Sequence, residues 1–290
     1  MKKLFSLFTL TILAFSAVYA QDCVATYGVA SVTFTRDGAQ YKTGHFSVSP
    51  TKSVKFAPGN LAYTEANGFY FFENQYDYSY NKNNVYDLFA YGASGYGETT
   101  PTGGNYAIGN LYDDDGTINN YDWGAYNPIT HTKGGQTTTY PAGAWRTLTW
   151  SEWYYLGHTR TNHTTLMGGA KVNGIFGVIL LPDDWVAPSD LPTFVASFAF
   201  TDVGDVNDYD TDEWSIFENA GAVFLPAVGN TAWGYEPPAI ATQAYCSYWS
   251  ANTYDEDQGK RADFGNTDRN FREVDSEKTA RSSVRLVQDW

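Results

Sequence analysis

The chain has 290 residues, a formal net charge of −14 at pH 7, and equal shares (17%) of aromatic and of charged residues. Such an acidic chain repels nucleic acid and anionic lipid, so we expect a protein or glycan ligand, with no nucleic acid partner and no membrane insertion. Its 27 Gly and many large rings favour a turn-rich fold over a helical bundle.

Residues 1–20 have the features of a secretory signal peptide. Lys2 and Lys3 precede the apolar run "LFSLFTLTILAF", and "AVYA" places small residues where a signal peptidase cuts. We therefore expect cleavage after Ala20 and a secreted protein, extracellular or at the cell surface, with the periplasm as an alternative. In an oxidising compartment Cys23 and Cys246 either pair or remain two unrelated thiols.

Short apolar runs separated by turn residues follow this segment. "ASVTFT" predicts that residues 21–45 form an N-terminal extension or extra strands. Strands are also predicted in "HFSVSPTKSVKFAPGNLAY", with a turn at residues 58–60, and in the aromatic run "GFYFFENQYDYSY". Residues 90–144 are rich in Gly, Tyr, Asn and Thr with almost no aliphatic period, which predicts a long loop region.

The second half of the chain predicts two helices and further strands. Thr149 and Glu152 have capping-box spacing, and Asp210 or Thr211 can cap a second helix that ends at Gly221. "GIFGVILL" and "AVFLPAVG" are typical of buried strands, and "AYCSYWSAN" and "SVRLVQ" predict the last two. This order predicts an α+β domain over residues 46–290, with a mixed, mostly antiparallel sheet, two helices and long loops.

Nine motifs in this order carry a resemblance to a known family: "FSVSPTKSVKFAPGNLAY", "ENQYDY", "DLFAYGASGY", "YDWGAYN", "WRTLTWSEWYYL", "VNGIFGVILLPDDW", "AGAVFLPAVG", "YWSAN" and "SVRLV". As a set they resemble secreted bacterial proteins with a C-type-lectin-like fold. The branch is the one shared by formylglycine-generating enzymes and by variable proteins of diversity-generating retroelements. The resemblance covers about Phe46 to Val287. It implies that the first and last strands pair, so that "SVRLV" closes a sheet and the polar stretch before it is displayed as a loop.

The resemblance implies the fold without the oxidase activity. Formylglycine-generating enzymes need a cysteine pair beside copper, and only Cys246 lies within the matched residues. His158 and His163 lack clustered Cys or carboxylate neighbours, so their spacing is a weak metal signal. We therefore expect a protein that is not an enzyme and that has no cofactor, with calcium as the one possibility left open.

The calcium possibility comes from the segment "DVGDVNDYDTDE", whose hard oxygen ligands suit Ca²⁺. Its spacing is not that of an EF-hand, because Asp210 stands where such a loop needs Gly. The alternative is an acidic loop that caps the following helix and complements its dipole. The candidate calcium ligands are Asp205, Asn207, Asp208, Asp210 and Asp212.

The strongest candidate site is the polar stretch between Tyr248 and Val284, which in the resembling family faces the ligand. Its rings offer rigid contact area, and its amides and carboxylates offer adaptable hydrogen bonds. Two alternatives stay open: a solvated loop of mixed charge, with Trp233 in the core, or two short strands that place Arg261 and Asp263 on one face. The candidate ligand-binding residues are Trp233, Tyr235, Asn252, Tyr254, Asp255, Asp257, Lys260, Arg261, Asp263, Asn266, Asp268, Asn270 and Arg272.

These observations favour a secreted or surface-displayed, non-catalytic protein that recognises a protein or cell-surface ligand through its C-terminal loop region. The alternatives are a carbohydrate-binding or carbohydrate-processing protein and a structural surface component.

Overall fold

The structure is a computed structural model, and it describes residues 33–36, 39–42, 44–96, 105–112, 117–197, 207–229, 245–265 and 272–290. Within these ranges the helices are α1 (Trp123–Tyr126), α2 (Trp150–Tyr154), which continues into a π-helical turn (Tyr155–Thr159), and α3 (Thr211–Asn219). The strands are β1 (Thr33–Arg36), β2 (Ala39–Lys42), β3 (Phe46–Ser47), β4 (Ser53–Phe56), β5 (Leu61–Thr64), β6 (Gly68–Phe71), β7 (Ile129–Lys133), β8 (Gln136–Tyr140), β9 (Arg146–Thr147), β10 (Met167–Val172), β11 (Ile175–Leu180), β12 (Asp208–Tyr209), β13 (Val223–Pro226), β14 (Tyr245–Thr253), β15 (Gln258–Gly265), β16 (Arg272–Glu277) and β17 (Leu286–Asp289).

The strands are divided among five small sheets in the described part of the chain. Their orders are β1–β2, β12–β10–β11–β13, β14–β15–β16, β3–β4–β17–β9 and β5–β6–β7–β8. Most pairs are antiparallel, while β6–β7 and β10–β12 are parallel. The α+β class predicted from the sequence is therefore confirmed, although several sheets stand where one was expected.

The C-terminal strand joins segments that are far apart in sequence. β17 lies between β4 and β9, with Val287 opposite Phe56 on one side and Arg146 on the other. The residues just before β17 extend these contacts, since the carbonyl oxygen of Val284 accepts a hydrogen bond from the Leu61 amide at 3.0 Å and that of Ser283 accepts one from the Trp249 amide at 3.1 Å. The predicted pairing of the last strand with an early strand is confirmed.

Aromatic side chains fill three core clusters. One joins β4, α2 and the sheet β14–β15–β16, and it includes Trp153 and Tyr248, whose ring centroids are 6.1 Å apart. A second lies under β5–β8 around Trp123 and Trp145, and the third packs α3 against β10–β13. Each fully buried side chain of this size contributes about 2–3 kcal/mol through the area it removes from water.

Local capping signals explain where α2 and α3 begin. The Thr149 hydroxyl accepts a hydrogen bond from the Glu152 amide, and the Glu152 carboxylate accepts one from the Thr149 amide. Asp210 and Glu213 form the same reciprocal arrangement before α3, and Gly221 follows that helix with a positive φ of 95°. Both predicted helices are confirmed. The short helix α1 was not predicted.

A hairpin lies inside the segment that the sequence predicted to be a long loop. β7 and β8 are joined by Gly134 and Gly135, whose φ angles of 58° and 79° suit a two-residue turn between antiparallel strands. Three consecutive Thr in β8 favour the extended backbone because their branched Cβ restricts χ1. The prediction of loop throughout residues 90–144 is therefore wrong at residues 129–140.

The polar stretch near the C-terminus also forms strands. β14, β15 and β16 make an antiparallel sheet, here called the C-terminal sheet, in which Arg261 lies opposite Trp249 and Val274. The displayed loop implied by the resemblance is wrong over residues 258–265 and 272–277, and the alternative of two short strands applies there.

Among the described residues, no helix is both long enough and apolar enough to cross a membrane.

Candidate recognition surface

The turn between β14 and β15 is a tightly bonded acidic tip. The Tyr254 amide donates to the carbonyl oxygen of Gln258 at 2.8 Å. One carboxylate oxygen of Asp255 accepts hydrogen bonds from the amides of Asp257 and Gln258 at 2.9 and 2.7 Å. Such an Asp-centred turn fixes the backbone and leaves the side chains of Tyr254, Asp255, Glu256 and Asp257 exposed.

A buried ammonium group binds this turn to a distant loop. Lys278 is fully buried, and its Nζ donates to the carbonyl oxygens of Ile108 at 2.6 Å, Asp255 at 2.8 Å and Glu256 at 2.8 Å. An ammonium group has three donors, so these three carbonyls match its capacity. Burial lowers the pKa of Lys278, and the nearby carboxylates of Asp255, Asp257 and Glu256 oppose that shift.

Aromatic rings complete the environment of this ammonium group. The Lys278 Nζ lies 5.5 Å from the ring centroid of Tyr91 and 6.0 Å from that of Tyr106. Both distances are within cation–π range. These interactions offset part of the free energy that the ammonium group loses on desolvation. The Tyr91 hydroxyl donates to the carbonyl oxygen of Ala251 at 2.8 Å, so the same ring also fixes β14.

The loop of residues 105–112 is further fixed along β14. The Leu111 amide donates to the carbonyl oxygen of Ala251 at 2.7 Å, and the Asn110 side-chain oxygen accepts from the amide of Thr253 at 2.8 Å. This arrangement holds two strongly exposed apolar side chains on adjoining segments, because Ile108 is 71% exposed and Tyr254 is 59% exposed.

The Tyr254 ring lies beside a group of charged side chains on the C-terminal sheet. The Lys260 Nζ lies 5.2 Å from the centroid of that ring. The same ammonium group forms an ion pair with Glu273 and lies 3.5 Å from a carboxylate oxygen of Asp275. We call the side chains of Ile108, Tyr254, Asp255, Asp257 and Lys260 the recognition surface.

Asn252 is adjacent to this surface but has a structural partner. Its side-chain oxygen accepts a hydrogen bond from the Trp150 amide at 2.7 Å, which ties β14 to the start of α2. On the same helix Tyr154 is 50% exposed and stacks on the His158 ring, with centroids 4.6 Å apart. Asn252 therefore positions α2 beside the recognition surface.

Two of the predicted ligand-binding residues are buried, which corrects their assignment. Arg261 and Asp263 are 1% and 6% exposed. The Arg261 guanidinium donates to the Asp263 carboxylate at 3.1 Å and to the Ser276 hydroxyl at 2.9 Å. Burial raises the pKa of Asp263, although the charge of Arg261 acts in the opposite direction. These side chains face the interior because they share one side of β15, and they contact each other instead of a ligand.

The remaining predicted residues divide into two groups. Tyr254, Asp255 and Asp257 are exposed at the turn, Lys260 is partly exposed beside them, and Arg272 is exposed on β16 opposite Asp263. The others lie outside the described residues: Trp233, Tyr235, Asn266, Asp268 and Asn270.

The candidate calcium ligands have other partners where the structure describes them. Asn207 is buried, and its amide donates to the carbonyl oxygens of Gly169 and Val195. Asp208 forms an ion pair with Lys171. Asp210 caps α3, and Asp212 lies in the first turn of that helix, as the alternative interpretation held. Asp205 lies outside the described residues, and within these no three His, Cys, Asp or Glu side chains form a metal-binding group.

Cys246 is a buried thiol between two strands. Its Sγ donates to the carbonyl oxygen of Leu225 at 3.3 Å, and burial raises its pKa far above the ordinary value. The thiol is therefore protonated at neutral pH, the unreactive form of cysteine. Its suggested partner, Cys23, lies outside the described residues, as does the predicted signal peptide.

The sequence analysis did not identify Lys278, which fixes the recognition surface, or Ile108, which is part of it. Ile108 and Lys278 are 170 residues apart in sequence, so no local pattern could have connected them.

Comparisons of the chain with models of protein families, with curated proteins and with solved structures give no match.

Proposed function

We propose that the chain is a secreted or surface-displayed, non-catalytic protein that binds a protein ligand through the recognition surface. The observation that carries this proposal is the buried Lys278, whose ammonium group fixes the loop that bears Ile108 and the turn that follows Tyr254. A surface that is fixed before binding loses little conformational entropy when its ligand arrives, and this improves affinity.

The chemistry of the surface indicates the kind of ligand. Ile108 and Tyr254 supply an apolar centre, and large exposed rings are frequent among the residues that dominate interface energies. Six acidic side chains lie at the turn and on β16: Asp255, Glu256, Asp257, Glu273, Asp275 and Glu277. The complementary partner is a protein surface that has an apolar pocket edged by Lys or Arg.

Two further features support a binding role on a C-type-lectin-like fold. β17 pairs with β4, as the resemblance implies for the ends of such a domain, and the recognition surface includes residues from the C-terminal stretch. The buried, protonated Cys246 supports a role in packing and not in oxidase chemistry.

The test is binding to a displayed library of extracellular protein domains, followed by surface plasmon resonance on the captured domains. Because Tyr254 lies at the apolar centre, we expect Tyr254→Ala to weaken binding by about tenfold or more. Tyr78→Ala is the matched control, since Tyr78 is also exposed, at 37%, and lies outside the recognition surface. We expect this control to bind like the unmodified chain.

Two outcomes would count against the proposal. Equal binding by Tyr254→Ala and Tyr78→Ala would show that the ligand uses another surface. If no library domain binds the unmodified chain, a structural surface component becomes the better interpretation.

A further inference from the structure

A concave site lies on the four-stranded sheet β5–β6–β7–β8. Its volume is about 470 Å³, which falls within the roughly 300–1,000 Å³ that is usual for small-molecule sites. It is separate from the recognition surface, because no residue of that surface lines it. The lining residues are Asn67, Tyr70, Phe71, Glu73, Thr130, Thr132 and Thr137.

Strand pairing explains why the Tyr70 and Thr side chains share one face, while Phe71 projects to the other face and into the core. Tyr70 lies beside Thr130 across the parallel pair β6–β7, and Thr132 lies opposite Thr137 in the hairpin. Because side chains alternate along a strand, Ile129 projects to the other face and joins the core cluster around Trp123. The groove therefore has a hydroxyl-rich floor, while the other face of the sheet is packed around Ile129 and exposed near the hairpin turn.

Hydrogen bonds fix three of the polar groups in the groove. The Thr132 and Thr137 hydroxyl oxygens are 2.8 Å apart, so the pair shares one hydrogen and keeps further donor and acceptor capacity. One carboxylate oxygen of Glu73 accepts a hydrogen bond from the Gly134 amide at 3.0 Å. This bond fixes the carboxylate, which can accept more than one hydrogen bond.

The charges of the groove narrow the class of ligand. Glu73 is the one charged residue among the lining residues, and the chain as a whole carries −14, so anions are repelled. Lys133, in the adjoining turn, forms an ion pair with Glu218 at 2.9 Å. One carboxylate is too few for a cation site built from protein oxygens, since Ca²⁺ takes roughly six to eight such ligands.

The remaining chemistry matches a neutral sugar. Hydroxyl groups that donate and accept, a fixed carboxylate acceptor and the half-buried Tyr70 ring together suit the hydroxyls and the apolar ring face of a saccharide. The strongly exposed Ile108 and Tyr254 that would suit a protein ligand lie elsewhere. We propose that this groove binds a neutral oligosaccharide, independently of the recognition surface.

The test is titration calorimetry of the full chain with neutral hexasaccharides of glucose, xylose, mannose and galactose, and with an acidic hexasaccharide of galacturonic acid. We expect at least one neutral sugar to bind, with no change on addition of a chelator, and no binding of the acidic sugar. Replacing both groove hydroxyls in the double variant Thr132→Val, Thr137→Val should weaken binding roughly thirtyfold, since two hydrogen bonds of about 1 kcal/mol each are lost.

Thr138→Val is the matched control, because Thr138 is exposed on the same strand but on its other face, opposite His131. We expect that variant to bind sugar normally. The proposal is overturned if none of the neutral hexasaccharides binds, or if the Thr138 control loses binding as much as the double variant. Tyr254→Ala separates the two sites, because it should weaken capture of a protein ligand while sugar binding is retained.

Discussion

Arg261 and Asp263 in the C-terminal sheet are 1% and 6% exposed, whereas the Asp289 side chain, at the end of β17, is 52% exposed. Both carboxylates are bound by an arginine. The Arg261 Nε lies 2.9 Å from a carboxylate oxygen of Asp263, and an Arg146 guanidinium nitrogen lies 2.6 Å from one of Asp289. The two regions thus use one kind of ion pair in different surroundings.

The network around Asp289 has more charge partners and is more exposed. Arg146 is held by both carboxylate oxygens of Glu152, at 2.7 and 2.8 Å, as well as by Asp289. Lys52 lies 3.3 Å from Glu152 and 3.4 Å from Asp289. Removing one member here leaves the others with partners, while the Arg261 charge has a single carboxylate in direct contact among the described residues.

We therefore expect exposure, and not the type of pair, to decide how much each carboxylate contributes to stability. A buried charge that loses its partner retains its full cost of desolvation, whereas an exposed one is solvated again. We expect the buried Lys278 to make an intermediate contribution to stability. Its partners at the turn are neutral carbonyl groups, and this turn lies near the surface.

The largest effect is expected from Asp263→Ala. This change leaves the buried Arg261 guanidinium without its carboxylate, and we expect it to lower the free energy of unfolding by about 3–5 kcal/mol. Urea unfolding followed by tryptophan fluorescence measures the change. In the double variant with Arg261→Leu the unpaired charge is absent, so much of the stability should return. A loss below about 1 kcal/mol for Asp263→Ala would mean that water reaches this pair.

An intermediate effect is expected from Lys278→Met. The variant keeps much of the side-chain volume but removes the donors to three carbonyl oxygens, so we expect a loss of about 1–3 kcal/mol in urea unfolding. Amide hydrogen exchange should increase at residues 105–112 and 254–258, which this ammonium group connects. Lys133→Met is the control, because its ion pair with Glu218 is half-exposed. Unchanged exchange in both segments of Lys278→Met would contradict the role given to this residue.

The smallest effect is expected from Asp289→Asn, and it should depend on pH. Burial acts to raise the pKa of Asp289, but hydrogen bonds and charge from Arg146, with help from Lys52, hold it below its ordinary value of 3.8. A lowered carboxyl pKa contributes stability above the unfolded-state value, and that contribution is lost as the pH falls through the folded-state value.

At pH 7 the unmodified chain should therefore be more stable than Asp289→Asn by up to about 1 kcal/mol, a limit set by the exposure of this carboxylate. The difference should shrink towards zero as the pH falls through the lowered folded-state pKa of Asp289, below which the carboxyl is protonated in both states. Urea unfolding at several pH values measures it. A difference that stays constant across this range would show that charge is not the cause.

Apart from the pairing of β17 with β4, which the resemblance implied, the features predicted from the sequence were those with local signals. α2 and α3 begin at capping residues that are neighbours in the chain, and buried strands such as β11 and β13 are continuous apolar runs. The β7–β8 hairpin was missed because its strands are built from Thr and carry no apolar period. The Gly134–Gly135 pair between them was the signal that could have found it.

The candidate site was predicted only in part. The turn residues Tyr254, Asp255 and Asp257 are exposed as expected, because polar residues between two strands commonly form a displayed turn. Arg261 and Asp263 were assigned wrongly, since the usual rule that polar side chains face water fails when two charges compensate each other in the interior. Lys278 depends on a contact with residue 108, which is decided by the tertiary fold.

The position of β17 has a consequence for how the protein is made. Residues 283–289 bond to β4, β9 and β14 and to the segments at Ala57 and Leu61, and a ribosome synthesises every one of these partners first. A nascent chain would carry several strands with open edges until translation reaches this region. We therefore expect the sheet β3–β4–β17–β9 to close only after residues 283–289 have been synthesised.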